Sequence, residues 1–276
     1  MTIKRSTNHF CSAKKSFDFK KQFSFLLFLL IATFPFGLQA ETFQVENEWS
    51  FLKPYTAKFT IYQDDDKVGN LTQSLTLDSI TENKDQQTSK TNQIQWQFNT
   101  STKIKKWFVS LNYQEHSLFT IEKNNLLPLF FNSNKSVTFK DDQVISQQFD
   151  WKNKKETGYK NKRKWSVDLA MNTYDTLGHL IKLRQDLNAG LTTPLTYTIS
   201  QNGKQKQYDY QLVGEEIIET ETTKFTTIKL KRADKKEKDF YIWLDKNNLF
   251  MPVQMQQVEE DDSVTIKLEK LILPQP

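Results

Sequence analysis

Cysteine, histidine and glycine are scarce in this chain of 276 residues, which has one, three and seven of them respectively, and each shortage excludes a chemistry. Cys11 lies in a segment that reads as an export signal, so the rest has no disulfide, no thiol nucleophile and no thiolate metal ligand. Gly37 lies in the same segment, and none of the remaining glycines forms a phosphate-cradling loop, which removes the nucleotide-binding motifs. Beyond the segment only His116 and His179 remain, too far apart for zinc spacing. Asp64-Asp65-Asp66 and Glu259 to Asp262 do not follow the calcium-loop pattern. No serine stands in a GxSxG context. No cofactor and no metal are expected.

What is present begins with KKSFDFKKQFSFLLFLLIATFPFGLQA, a basic lead followed by an apolar run from Phe23 to Phe36. The run is shorter than the roughly 20 residues of a membrane span and ends on Gly37-Leu38-Gln39-Ala40, which suits a peptidase. Residues 1–40 are therefore expected to be a secretory signal, and 41–276 a single β-rich periplasmic domain with no transmembrane span. An uncleaved anchor is the alternative, opposed by Pro35 and Gly37. No cysteine follows the run, so lipid modification is not expected. The signal holds six of the 38 Lys+Arg and one of the 33 Asp+Glu, leaving 32 of each sign. The basicity thus belongs to the export segment, and nucleic acid is excluded as a partner.

Period-two alternation dominates the remainder. In YTAKFTIYQ, Tyr55, Ala57, Phe59 and Ile61 share one face. The same pattern puts Ile94, Trp96 and Phe98 inward, then Leu195, Tyr197 and Ile199, then Tyr208, Tyr210 and Leu212. Met251, Val253 and Met255, and Val264, Ile266 and Leu268, complete the series. Turn signals at 64–66, 202–203, 245–248 and 259–262 separate these runs at hairpin spacing. The expected class is mainly β: one large curved antiparallel sheet, an open and incomplete barrel, with one or two helices covering its concave face. FYIWL, 240–244, is apolar on both faces and is expected under a second layer. Residues 80–92 read as a long polar loop. KIKKWFVSL fits a helix through Ile104, Trp107, Phe108 and Leu111, and a short strand equally well.

The helical pattern is NTYDTLGHLIKLRQDLNAG. Asp175 is placed to cap it, Leu177, Leu180, Ile181, Arg184 and Leu187 share a face, and Gly190 sits at the stop. Asp175 and His179 are four residues apart, but an acid–base pair with no nucleophile beside it is no mechanism, so a structural plug is the expectation. Arg184 falls inside the apolar stripe, where it either snorkels to water, reaches a buried acid such as Asp150, or meets a ligand carboxylate or phosphate. Asp150 and Asp175 as paired hydrolytic carboxylates would need to stand roughly 5 to 9.5 Å apart in an open cleft. The basic run 152–165, with Trp151, Tyr159 and Trp165 interleaved, reads as a solvated hairpin tip or a contact for anionic headgroups.

LKPYTAKFTIYQDDDKVGN, EHSLFTIEKNNLLPLFF, the FDW at 149–151, YDTLGHLIKLRQDLNAG, TTKFTTIKLKR and FYIWLDKNNLFMPVQMQ occur in that order. Together they resemble an exported bacterial family known as domain of unknown function 3108, over residues 52 to 271. The resemblance implies a periplasmic β protein similar in fold to the lipoprotein carriers, with Asp150, Trp151, Asp175 and Arg184 on its recurring pattern and no assigned activity. The expected function is non-enzymatic binding or carriage of an apolar or lipid-like ligand beneath the helix. Phe59, Trp96, Phe98, Tyr197, Tyr208, Met255 and Arg184 would line the cavity, while Asp150, Trp151 and Asp175 hold the frame. The alternative is an envelope assembly factor that binds another protein through a sheet edge or the basic loop.

Overall fold

Alternating residues pair into ladders along almost the whole chain. The computed structural model describes residues 49–78, 94–220, 223–233, 238–259 and 262–274. The expected signal, 1–40, and the loop at 80–92 lie outside the described residues. The first wing of strands is β1 (Tyr55–Gln63), β2 (Asp66–Asp78), β3 (Gln95–Lys106), β4 (Val109–Glu122), β5 (Asn125–Val137), β6 (Gln143–Asp150), β7 (Lys155–Lys160) and β8 (Arg163–Asp168). A two-residue β9 (Thr173–Tyr174) leads into α1 (Gly178–Asn188). The second wing is β10 (Leu195–Gln201), β11 (Lys204–Glu219), β12 (Lys224–Ala233), β13 (Lys238–Asp245), β14 (Met251–Glu259) and β15 (Asp262–Ile272).

The fifteen described strands form one sheet in the order β8-β7-β6-β5-β4-β3-β2-β1-β15-β14-β13-β12-β11-β10-β9, so among the described residues no ladder closes it into a barrel. Every pairing is antiparallel except β9 with β10. Most sequence neighbours pair across short turns, β2 and β3 pair across the longer segment 79–94, and β1 with β15 joins the two wings. With so few glycines, the turns take positive φ at other residues, including Asp65, Trp107, Asn161 and Phe139.

The inward sets of β1, β10 and β14 are buried as expected. Val264 and Ile266 are half-buried, and two expected inward residues are exposed. Ile94 precedes β3 and is exposed, and Leu212 turns outward where β11 slips register against β12 between Leu212 and Gly214. KIKKWFVSL is a hairpin rather than a helix: Ile104 pairs with Leu111, and Trp107 and Phe108 make the turn. Among the described residues no second layer covers FYIWL. Trp243 is buried because Lys229 lies over it, with Nζ 4.7 Å from the ring, and because its indole N–H donates to Glu216 at 2.6 Å. The basic run 152–165 is more than a loop, since most of it forms β7 and the start of the edge strand β8.

The ends of the sheet curl toward each other and are fastened by side chains. Glu156 on β7 is buried and accepts from Gln147 Nε2 at 2.9 Å, from Trp165 Nε1 at 2.9 Å, and from the Ser200 hydroxyl on β10. Gln147 also donates to Ser200 Oγ at 3.2 Å. This polar clasp does between β6–β8 and β10 what a ladder does elsewhere. Gly203 is required beside it, because its φ is +72° and an added Cβ would lie 2.6 Å from the Trp165 ring.

Candidate functional site

The inner face of the curled sheet is occupied by α1, the only helix among the described residues. Asp175 begins it, though the first helical residue is Gly178. Its Oδ1 accepts the N–H groups of Leu177 and Gly178, each at 2.8 Å, and its Oδ2 accepts the Ser117 hydroxyl at 2.7 Å. The capping carboxylate is thereby tied to β4 as well as to the helix. At the far end, Gly190 donates to the Leu187 carbonyl and Leu191 to that of Asp186, with Gly190 at φ +79°, which satisfies the last turn.

A single apolar stripe was expected on this helix. Instead it is buried nearly all round, and its buried residues include His179, Arg184, Gln185 and Asp186. Such a helix is stable inside a sheet only if each polar group finds a partner. His179 Nε2 lies 3.0 Å from the Tyr210 hydroxyl, within a nest formed by the Tyr197, Tyr208 and Tyr210 rings. Asp186 accepts the Tyr197 hydroxyl at 2.8 Å and pairs with Lys182. Arg184 donates through Nε and Nη2 to the Leu249 carbonyl, both at 3.2 Å, and its guanidinium lies 5.2 Å from the Phe51 ring and 5.7 Å from the Tyr55 ring. Asn188 also donates to Leu249 at 3.3 Å. The helix is bolted to both wings and to the β13–β14 turn.

Burial sets the ionisation of these groups. His179 is held neutral, its pKa pushed down to about 3 by desolvation and then by the Arg232 charge. Asp175 is pushed up by desolvation, against the pull of the N–H groups it accepts. Glu115, half-buried near Asp175, is also pushed up by desolvation, and it accepts from Tyr113 at 2.8 Å and Thr100 at 3.1 Å. Desolvation raises Tyr197 as well, followed by the charge of Asp186.

The candidate cavity residues Phe59, Trp96, Phe98, Tyr197, Tyr208 and Met255 are all buried in one continuous core. They pack with one another and with the helix, and none of them lines the best-formed clefts among the described residues, which have volumes of about 250 to 350 Å³. Two of those clefts are lined mainly by polar side chains such as Asn99, His116, Asn132 and Lys267, while another mixes Phe225, Met251, Val253, Leu268 and Leu271 with polar residues. Arg184 does not reach Asp150, because Asp150 is exposed on the β6–β7 turn, where its carboxylate accepts the backbone and side-chain N–H groups of Asn153 at 2.9 and 2.7 Å. Asp175 has no solvent access and Asp150 is on the surface, so the two carboxylates do not face each other across an open cleft. Trp151 fastens that turn by donating its indole N–H to the Pro128 carbonyl at 2.6 Å. His116 is on the outer face, 2.6 Å from Asn99 Oδ1, and so is not part of the His179 cluster.

Sequence reading missed Glu115, Ser117, Gln147, Glu156 and Ser200. The signal was available for three of them, since Glu115, Ser117 and Gln147 continue period-two positions with an apolar neighbour, Tyr113, Phe119 and Phe149 respectively, whereas Glu156 and Ser200 have none. What they would bond lay on strands distant in sequence.

Comparison with known proteins agrees with the motif order. A family model described as protein of unknown function (DUF3108) matches residues 55–269. No curated protein matches the chain. Among solved structures, a beta-barrel-like protein of domain of unknown function DUF1849 from Brucella abortus is similar, with a TM-score of 0.49 and 11% identity, covering 82% of this chain and 99% of that one. No described helix is long and apolar enough to cross a membrane.

Proposed function

The chain belongs to the DUF3108 family, and from that premise we propose that it is an exported, non-catalytic binding protein of the cell envelope that engages a partner protein through the open edge of β8. The observation that carries this reading is that edge. β8 pairs with β7 alone, through a two-residue turn at Asn161-Lys162, and Lys160 and Arg163 are the closing pair. In such a hairpin the closing pair exchanges ladder bonds, so Lys164, Ser166 and Asp168 direct their backbone N–H and C=O groups to the unpaired side. An extended segment of a partner can add there as a further strand. Lys155, Lys160, Lys162, Arg163 and Lys164 cluster on this hairpin, so an acidic segment fits it best.

The carrier reading, an apolar ligand beneath α1, has less support. The side chains that would line the cavity fill it, and a ligand could enter only if the bonds from Asp175, His179, Arg184 and Asp186 were released.

The test uses Ser166→Cys, a single thiol once the segment bearing Cys11 is removed on export. Cross-linking in the exporting cell is expected to trap one discrete protein adduct, and Ser166→Pro, which deletes an outward N–H, is expected to abolish the complex. Absence of any adduct, with a stoichiometric lipid seen in native mass spectrometry of the purified protein, would return the function to carriage.

A further inference from the structure

The three most exposed large hydrophobic side chains among the described residues are Phe139, Trp107 and Phe108, at 85%, 83% and 74%. They are not scattered. Trp107 and Phe108 form the β3–β4 turn, and Phe139 lies in the β5–β6 turn next to it, with the Phe108 and Phe139 rings 6.5 Å apart. The tips are tied together, because Thr138 donates its N–H to the Ser110 carbonyl at 3.0 Å and its Oγ1 accepts the Ser110 N–H at 2.9 Å.

Folding gains nothing from aromatic rings in these places. Trp107 has φ 54° and Phe139 φ 65°, a region that costs an L-residue and that glycine or asparagine would occupy more easily. Exposed rings on strained turns form an apolar patch on the order of 300 to 600 Å², the size at which an exposed patch is often functional.

The third hairpin along the same end, β7–β8, is joined to β6 by the Asn161 N–H, which donates to the Val144 carbonyl at 2.8 Å. Its tip supplies Lys160, Lys162 and Arg163. Lys106 sits behind Trp107 with Nζ 6.0 Å from the ring centroid, and Lys140 follows Phe139. Asp141 and Asp142 are the acids between the second tip and β6.

We infer that these adjacent hairpin tips form a docking surface for an anionic lipid bilayer, with Trp107, Phe108 and Phe139 entering the headgroup region and the flanking Lys and Arg side chains meeting lipid phosphates. Aromatic rings with a polar rim favour that interface, and lysine stems lie along apolar groups while the ammonium reaches outward. The tips project from the sheet and enclose no groove, so a flat, deformable lipid surface fits them better than a peptide, which needs a cleft to bury its side chains. Neighbouring tips are two strands apart, about 10 Å, so the surface extends roughly 20 Å along the rim. This inference goes beyond the β8-edge reading and does not depend on it.

The protein purified from the exporting cell is sedimented with vesicles of phosphatidylcholine containing phosphatidylglycerol, and with vesicles of phosphatidylcholine alone. Binding is expected only to the anionic vesicles, to weaken with added salt, and to fall roughly tenfold or more in a Phe108→Ser, Phe139→Asn double variant. That variant changes exposed residues only, and an unaltered circular dichroism spectrum with a melting transition no lower than that of the native protein confirms its fold. Ser166→Pro is expected to leave vesicle binding intact, which separates this surface from the β8 edge. No sedimentation, or binding that the double variant retains, overturns the inference. Self-association in solution that the double variant abolishes, without vesicle binding, would assign the tips to a second copy of the chain.

Discussion

The two ends of the curled sheet treat awkward side chains in opposite ways. Where α1 is seated, four polar helical residues and the Asp175 carboxylate are taken out of water, and each is bonded to a strand, a neighbouring turn or another residue of the helix. At the rim formed by the β3–β4 and β5–β6 turns, three aromatic rings are left in water, two of them, Trp107 and Phe139, on strained backbone. Burial of polar side chains with at least one bond to each is what stability requires of a plug. Exposure of rings at a positive φ works against stability, so the second end points to a use outside folding.

The sharpest break at the helical end is Asp175→Ala. It orphans two backbone N–H groups and the Ser117 hydroxyl, and is expected to cost about 4 kcal/mol, read as a lower urea midpoint. Partial unfolding with exposed apolar surface is an acceptable form of the same result. An unchanged midpoint would remove the plug from the account of stability.

The pH dependence divides the same end by sign. His179 is neutral in the fold with a pKa near 3, below its ordinary 6.5, so its contribution is present above 6.5 and is lost as the pH falls toward 3. Asp175 and Glu115 are raised above their unfolded values near 4, so their contributions are full below that value and are lost as the pH rises through the folded pKa. His179→Gln removes the first effect alone. The stability difference between the native protein and this variant should therefore move in favour of the variant as the pH is lowered from about 6.5. A difference independent of pH would mean that His179 is already charged or exposed.

Ser200→Ala tests the clasp, the part of the closure that is neither ladder nor helix. Loss of its bonds to Glu156 and Gln147 is expected to cost about 2 kcal/mol and to speed hydrogen exchange in β10 and β7 first. The smallest effect is expected at the rim and has the reverse sign. Phe139→Asn should raise stability by about 1 kcal/mol, because asparagine tolerates the left-handed backbone, while lowering vesicle binding. A variant that gains stability and keeps its lipid affinity would leave the comparison of the two ends without its functional half.

Much of the fold was legible from local pattern. The alternation in YTAKFTIYQ, LTYTIS and MPVQMQ named the buried faces of β1, β10 and β14, and Asp175 and Gly190 marked the ends of the helix to within a few residues. The misreadings have particular causes. Leu212 was placed inward because period two continues through a bulge that only the pairing with β12 reveals. Trp107 and Phe108 imitated a helical face because a two-residue turn happens to space apolar residues by three and four. The inward aromatics were identified correctly as inward, but facing the interior does not say whether that interior is empty.

By itself the sequence determined the strand periodicity, the positions of the turns, the helix boundaries and the family, because each rests on backbone preferences and spacing within a short window or on motif order. The tertiary structure alone decided that the interior is filled, that Glu156 and Ser200 fasten the two wings, and that three hairpin tips stand side by side. Those outcomes depend on register accumulated across fourteen strand pairings and on the curl of one sheet, which bring together residues that no local pattern relates.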